Sequence, residues 1–190
     1  DKVAILSSSM PNWGVSYFAV TTAGMIAVPI LPDFTSSELD LIIEHSEAKA
    51  ILVSDKLYAK LSKEVIEKLN IVIRTKGLNA IVKHVSERAE KRIPQPEDTA
   101  AIIYTSGTTS KPKGVMLTHL NIMSNLKGIL GNIEPTRDER WFSFLPLSHT
   151  FERTTTMYLS LAMSNRVYFN RNILQIVEDL KIAKPTVMMS

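Results

Sequence analysis

The run from Ile102 to Gly114, Ile-Ile-Tyr-Thr-Ser-Gly-Thr-Thr-Ser-Lys-Pro-Lys-Gly, holds the densest chemistry in the chain. Hydroxyl side chains surround Gly107 (Thr105, Ser106, Thr108, Thr109 and Ser110), and Lys111 and Lys113 flank Pro112. These residue types suit phosphate. Glycine permits a tight turn that exposes backbone N–H groups, hydroxyls donate neutral hydrogen bonds, and ammonium groups neutralise a multiply charged anion. The spacing is not the Walker A pattern, because counting from Gly107 the sixth position is Pro112 rather than Gly, and Gly-x-Gly-x-x-Gly occurs nowhere. A polar loop of this kind is often only a flexible connection. Here the strand-like run before it, the helical spacing after it and the Lys-Pro-Lys-Gly tail favour a nucleotide phosphate clamp of another design.

The elements around this run must place it at a strand end. Ala100 to Tyr104 reads as a buried strand and Met116 to Leu130 has helical spacing, so the loop leaves the carboxyl end of a strand, where open α/β sheets bind ligands. A second block, Phe144-Leu-Pro-Leu-Ser-His-Thr-Phe-Glu-Arg153, follows a strand-like stretch from Trp141 to Leu145 and precedes a helical run. His149 therefore also lies at a strand end. Phe151 reads as a core residue. Glu152 and Arg153 fit a site-shaping role and an ordinary ion pair equally well. His119 reads as structural, and neither His45 nor His84 has neighbours that suggest a metal site.

Alternating strand and helix patterns run through the whole chain. Val3 to Leu6, Val28 to Leu31, Lys49 to Ser54 and Asn70 to Arg74 read as strands. Between them lie helices over Trp13 to Ala27, Ser36 to Ser46 and Tyr58 to Leu69, the second opened by a Thr35–Glu38 capping box. After Pro94-Gln-Pro96-Glu-Asp, which reads as a linker, the alternation resumes: strand 100–104, helix 118–130, strand 141–145, helix 152–163, strand 166–169, helix 172–182, strand 185–189. The pattern implies βαβ units and an α/β fold of parallel sheets flanked by helices. The organisation expected is a first lobe over 1–93, a linker over 94–99 and a phosphate-loop lobe over 100–190, truncated at its C-terminal end. One sheet system with a long connection fits the same pattern.

Composition bounds the alternatives. With 45% apolar and 22% charged residues, 190 in all, the chain has the make-up of an ordinary globular protein. Its 22 basic and 19 acidic residues leave a net charge of +3, and the cations are scattered among acids rather than gathered in a stripe, which argues against nucleic acid. Without cysteine there are no disulfides or thiolate metal sites. The uncharged span from Val3 to Pro32 is long enough for a bilayer helix, but Pro11, Gly14, Gly24 and Pro29 divide it, so no transmembrane segment is expected. No signal peptide is visible. The chain opens and closes abruptly, as a piece of a longer protein would.

Tyr104-Thr-Ser-Gly-Thr-Thr-Ser-Lys-Pro-Lys-Gly-Val-Met-Leu-Thr-His119 resembles the phosphate-loop signature of the AMP-forming adenylate synthetase superfamily. The block from Phe144 to Arg153 resembles that of its long-chain fatty acyl-CoA synthetase branch, and the opening around Trp13-Gly14 and Gly24 to Pro29 is similar to that family's N-terminal domain. The resemblance implies ATP-dependent activation of a long-chain fatty acid through an acyl-adenylate to acyl-CoA, with ATP, Mg²⁺ and CoA as reactants and cofactor. By the same analogy Thr105, Ser106, Gly107, Thr108 and Thr109 would form the phosphate loop, Thr105 assisting Mg²⁺. Lys113 would follow the β- and γ-phosphates, Lys111 would face solvent, and His149 would orient the substrate carboxylate and the adenylate. The adenine, ribose and Mg²⁺-carboxylate partners and a C-terminal catalytic lysine would all lie after Ser190, so the piece alone is expected to be inactive. A cytoplasmic location, with peripheral contact at the inner membrane face, fits this reading.

Ser110 departs from the family pattern, which usually has Gly there. If that position takes a left-handed backbone, Ser costs about 1–2 kcal/mol, and Ser110→Gly should raise ATP affinity; unchanged affinity would refute the idea. Two rival functions remain. One is adenylation of an aromatic, short-chain or amino acid, against which the Ser148-His-Thr-Phe-Glu-Arg153 block speaks. The other is a nucleotide-binding or interaction module without turnover, whose sign would be weak MgATP binding with no pyrophosphate exchange.

Overall fold

A computed structural model describes residues 1–83, 92–105, 112–133, 136 and 138–189, with the backbone alone at positions 82 and 83. Its first strands are β1 (Lys2–Leu6), β2 (Ile26–Pro29), β3 (Ala50–Val53), β4 (Ile71–Arg74), β5 (Asn79–Lys83), β6 (Thr99–Thr105) and β7 (Lys113–Thr118). They make one sheet in the order β5-β4-β3-β1-β2-β6-β7. The five inner strands are mutually parallel, and β5 and β7 run antiparallel at the two edges. Runs such as Val3-Ala-Ile-Leu and Ala50-Ile-Leu-Val are apolar at every position because a parallel strand is covered on both faces.

Side chains alternate between those two faces. Ala4, Leu6, Val28, Ile51 and Val53 pack on one side, with Leu39 and Ile42 of α2 (Ser36–Ser46). Val3, Ile5, Leu52 and Ala101 pack on the other, against Trp13, Tyr17 and Val20 of α1 (Pro11–Thr22). The Thr35–Glu38 capping box is present, with Thr35 N–H donating to Glu38 Oε2 at 2.8 Å. Where the sequence reading expected one helix over Tyr58 to Leu69, a short helix α3 (Asp55–Tyr58) ends at Tyr58 and a second, α4, covers only Lys63–Lys68. Ser62 separates them by capping Val65 N–H.

The helix α5 (His119–Leu130), capped by Thr118, leads to a second, all-parallel sheet. Its strands are β8 (Arg140–Ser143), β9 (Arg166–Phe169) and β10 (Val187–Met188), in the order β10-β8-β9. Between β8 and β9 runs a helical segment, α6 (Thr150–Glu152), a π-helical stretch (Arg153–Leu159) and α7 (Ser160–Ala162). After β9 come a 3₁₀ turn (Ile173–Gln175) and α8 (Ile176–Ala183). Leu147 and Met157 close over α1 from this side, so α1 lies between the large sheet and the 144–159 segment.

Two differences from the sequence reading bear on the site. Helical spacing was expected from Met116, but Lys113–Thr118 is a strand paired with β6. Val115-Met-Leu is a short apolar run that periodicity cannot assign, and the cross-strand partner decides it. The large sheet also crosses the 94–99 segment, because β6 pairs with β2. The two hydrogen-bonded sheets part between α5 and β8.

Candidate functional site

The end of β6 brings two of the candidate residues together. In the antiparallel register Thr105 stands directly opposite Lys113, and both are exposed. Ser106, Gly107, Thr108 and Thr109, with Ser110 and Lys111, lie outside the described residues, as does His84. One step inward, Tyr104 pairs with Gly114. A Cβ on Gly114 would stand 2.9 Å from Ile102 Cγ2 and 3.3 Å from the Tyr104 ring. A larger residue here would press on Ile102 and the Tyr104 ring, so close packing favours this glycine. Tyr104 is buried, its hydroxyl is 2.7 Å from His45 Nδ1, and the two rings meet edge to face. Burial pushes the Tyr104 phenol above its usual pKa, so it stays neutral. His45 thus has a structural partner on β6, one residue before Thr105.

His149 is the N-cap of α6 and is exposed. Its Nδ1 accepts from Phe151 N–H at 3.3 Å. A neutral imidazole whose Nδ1 accepts carries its proton on Nε2, which leaves Nε2–H as a donor toward solvent. Phe151, expected in the core, is 44% exposed.

The residues after His149 fasten the turn it sits on. Glu152 and Arg153 are both fully buried and do not pair with each other. Glu152 Oε1 accepts from Ser143 Oγ at 2.7 Å, tying α6 to the end of β8, and burial raises its pKa against the lowering effect of the Ser143 and Thr156 hydroxyls. Arg153 donates from one guanidinium nitrogen to the carbonyls of Leu147 and Ser148, at 3.0 and 3.1 Å, and lies 5.3 Å from the centre of the Tyr17 ring. Ser9, in the loop after β1, donates to Leu145 O at 3.0 Å and accepts from Leu147 N–H at 2.9 Å. The strand-end loops of the two sheets are thereby joined. Ser9 is 136 positions from Leu145, and the only trace of it in the sequence is a polar Ser7-Ser-Ser run after a strand.

Among the described residues no hydrogen bond or ion pair joins His149 to Thr105 or Lys113, and no group of three His, Cys, Asp or Glu gathers in a way that could hold a metal ion. No helix among them is long and apolar enough to cross a membrane.

Comparison with known proteins bears on the family and the fold. The chain is 30% identical over 213 residues to long-chain-fatty-acid–CoA ligase 5 of Mus musculus, a match covering 97% of this chain and 31% of that protein. It is 28% identical to long-chain-fatty-acid–CoA ligase FadD15 of Mycobacterium bovis, over 100% of this chain and 34% of that one. The chain thus spans about a third of the length of these relatives. In fold it is similar to O-succinylbenzoate coenzyme A synthetase (MenE) from Bacillus subtilis in complex with AMP, with a TM-score of 0.80, 24% identity, and coverage of 100% of this chain and 49% of that one. The family described as AMP-binding enzyme matches residues 1–190, from the first to the last. The chain belongs to the AMP-binding enzyme family.

Proposed function

We propose that this chain is part of an enzyme that activates a long-chain fatty acid with ATP and transfers it to CoA. The observation that carries the reading is the pairing of Thr105 with Lys113 at the open end of β6, at the two ends of a hydroxyl-rich connection. The likeness to long-chain-fatty-acid–CoA ligases over nearly the whole chain supports the choice of substrate.

In the first step a carboxylate oxygen attacks the α-phosphorus of ATP and pyrophosphate leaves. A carboxylate is already ionised near neutral pH and needs no base. The protein's part is positioning and charge neutralisation. Lys113 sets an ammonium group beside Thr105, where the departing pyrophosphate gathers charge, and the hydroxyls of Thr105, Ser106, Thr108 and Thr109 donate to its oxygens. Thr105 would offer one neutral oxygen to Mg²⁺, which the phosphates themselves hold; a lone exposed hydroxyl fits that auxiliary role. When bound, the ion supplies charge neutralisation between phosphate oxygens. His149, with Nε2–H free to donate, orients the substrate carboxylate and then the adenylate. In the second step the CoA thiol attacks the acyl carbon and AMP leaves.

The full-length protein should catalyse pyrophosphate exchange into ATP that depends on a long-chain acid, and His149→Ala should slow it. Exchange driven instead by a short-chain, aromatic or amino acid would replace the substrate assignment. MgATP binding with no exchange under any acid would reduce the protein to a nucleotide-binding module.

A further inference from the structure

A cavity of about 640 Å³, lined by charged, polar and apolar residues, opens at the carboxyl ends of β1, β3 and β9. It is separate from the Thr105–Lys113 pair, since β2 stands between β1 and β6. We propose that it is an anion site that takes a phosphate monoester. Ser8, Ser54, Lys56, Lys76, Asn170 and Arg171 are among the residues that line it.

The charges around it do not cancel. Asp55 also lines the cavity, but its carboxylate is bound to Arg74 at 3.0 Å, and that guanidinium lies 4.0 Å over the Tyr58 ring. Arg171 is held by Asp179 at 2.6 Å and Glu178 at 3.4 Å. Among the described residues, Lys56 and Lys76 have no ion-pair partner. The cavity thus presents two uncompensated ammonium groups, a match for a monoester that carries between one and two negative charges near neutral pH.

Neutral donors point to the same class of ligand. Ser54 is 6% exposed, lines the cavity, and its Oγ has no hydrogen-bond partner. Buried hydroxyls are nearly always satisfied, so this one awaits an acceptor or donor from outside the chain. Asn170 also lines the wall; its buried, unpartnered side-chain oxygen is an acceptor as it stands, and only with the amide turned over would it offer N–H groups to an anion. The twelve-residue α1 begins here, with Met10 as an N-cap that supplies no side-chain bond. Pro11 at its first position has no N–H and Trp13 N–H is taken by Met10 O at 2.9 Å, so only the helix dipole adds a partial positive charge here. The wall is also rigid: Asn12 Nδ2 donates to the carbonyls of both Thr75 and Lys76 at 2.9 Å, which fixes the Lys76 backbone against α1.

The proposal does not depend on the acyl-activating reading. Its test is calorimetric titration of the full-length protein at low salt with inorganic phosphate and with glycerol 3-phosphate, in a Lys113→Ala background that weakens phosphate binding at the other site. Saturable binding is expected. Glycerol 3-phosphate should bind more tightly than phosphate, because the cavity is larger than a bare ion needs. The double variant Lys56→Ala/Lys76→Ala should weaken binding at least tenfold, and Ser54→Ala several-fold. Lys56→Arg/Lys76→Arg should restore it. Both lysines are exposed, so the protein tolerates these changes, and in an otherwise natural chain the double alanine variant should leave pyrophosphate exchange unchanged. Equal affinity in the double alanine variant, non-saturable binding, or equal binding of phosphate and the monoester would overturn the proposal.

Discussion

Thr105 and Lys113 stand at the exposed end of an antiparallel strand pair, set opposite one another by backbone register. His149, also exposed, stands on a turn clamped from beneath by Arg153, Glu152, Ser143 and Ser9, all through side chains. A register-held pair keeps its spacing whatever its side chains are, so Thr105 and Lys113 are open to substitution without harm to the fold. A side-chain-held turn has no such independence, because the groups that place His149 are also core residues. Chemistry and stability are separable at the first segment and linked at the second.

That contrast can be broken or sharpened by measurement. Arg153→Met should have the largest effect, a loss of about 3 kcal/mol in the unfolding free energy measured with denaturant, since it leaves the Leu147 and Ser148 carbonyls buried without donors. A loss below about 0.5 kcal/mol would show that the turn holds itself. Lys113→Ala should lower pyrophosphate exchange of the full-length protein about 10²-fold, a typical cost for one charge-stabilising donor, with stability unchanged within about 0.5 kcal/mol. A drop in stability as large as that of Arg153→Met would erase the distinction. Thr118→Ala removes the cap that joins β7 to α5, where Thr118 Oγ1 accepts from Asn121 N–H at 3.0 Å, and should cost about 1 kcal/mol in thermal or denaturant unfolding. Exchange activity should persist, because the strand register does not depend on the cap.

The subtlest effect should come from Glu152→Gln. Burial raises the Glu152 pKa in the folded protein above its unfolded value, so the neutral form is favoured by folding. The stability this gives is fully present below the ordinary carboxylate range and is lost as pH rises through the raised folded value. Unfolding measured from pH 4 to pH 8 should show the natural chain losing stability relative to the Gln variant, which cannot ionise at this position. Parallel pH profiles would mean that Glu152 stays charged in its buried position.

Both candidate segments were legible as motifs, but neither fully as geometry. The parallel strands, the Thr35–Glu38 box and the Thr118 cap follow from apolar runs and local spacing, and local signals survive in a sequence. The strand character of Lys113–Thr118 was not readable, because Val115-Met-Leu suits a helix start as well as a strand and its partner lies on β6. The edge strand β5 was missed for the same reason: Asn79–Lys83 is short and polar at its start, and pairing with β4 makes it a strand. Glu152 and Arg153 read equally as site-shaping residues and as an ordinary ion pair, because adjacent opposite charges allow either. Their actual partners, a serine nine positions back and two carbonyl oxygens, carry no charge and leave no pattern. The Tyr104–His45 contact spans 59 positions and is equally silent.

The π-helical stretch from Arg153 to Leu159 fixes the length of this part of the chain as firmly as its composition. An α-helix turns about 100° per residue, so deleting one residue to restore ordinary helical winding would swing everything after it by about that angle. Leu159 and Met163, which now pack with Trp141 and Leu126, would leave that cluster, while Arg153 and Glu152 on the near side kept their places. Beyond Arg153 the segment should therefore take a change of residue more readily than a change of number: exchanging Thr155 for another small residue is a local event, and losing it would uncouple the second sheet from the turn that presents His149.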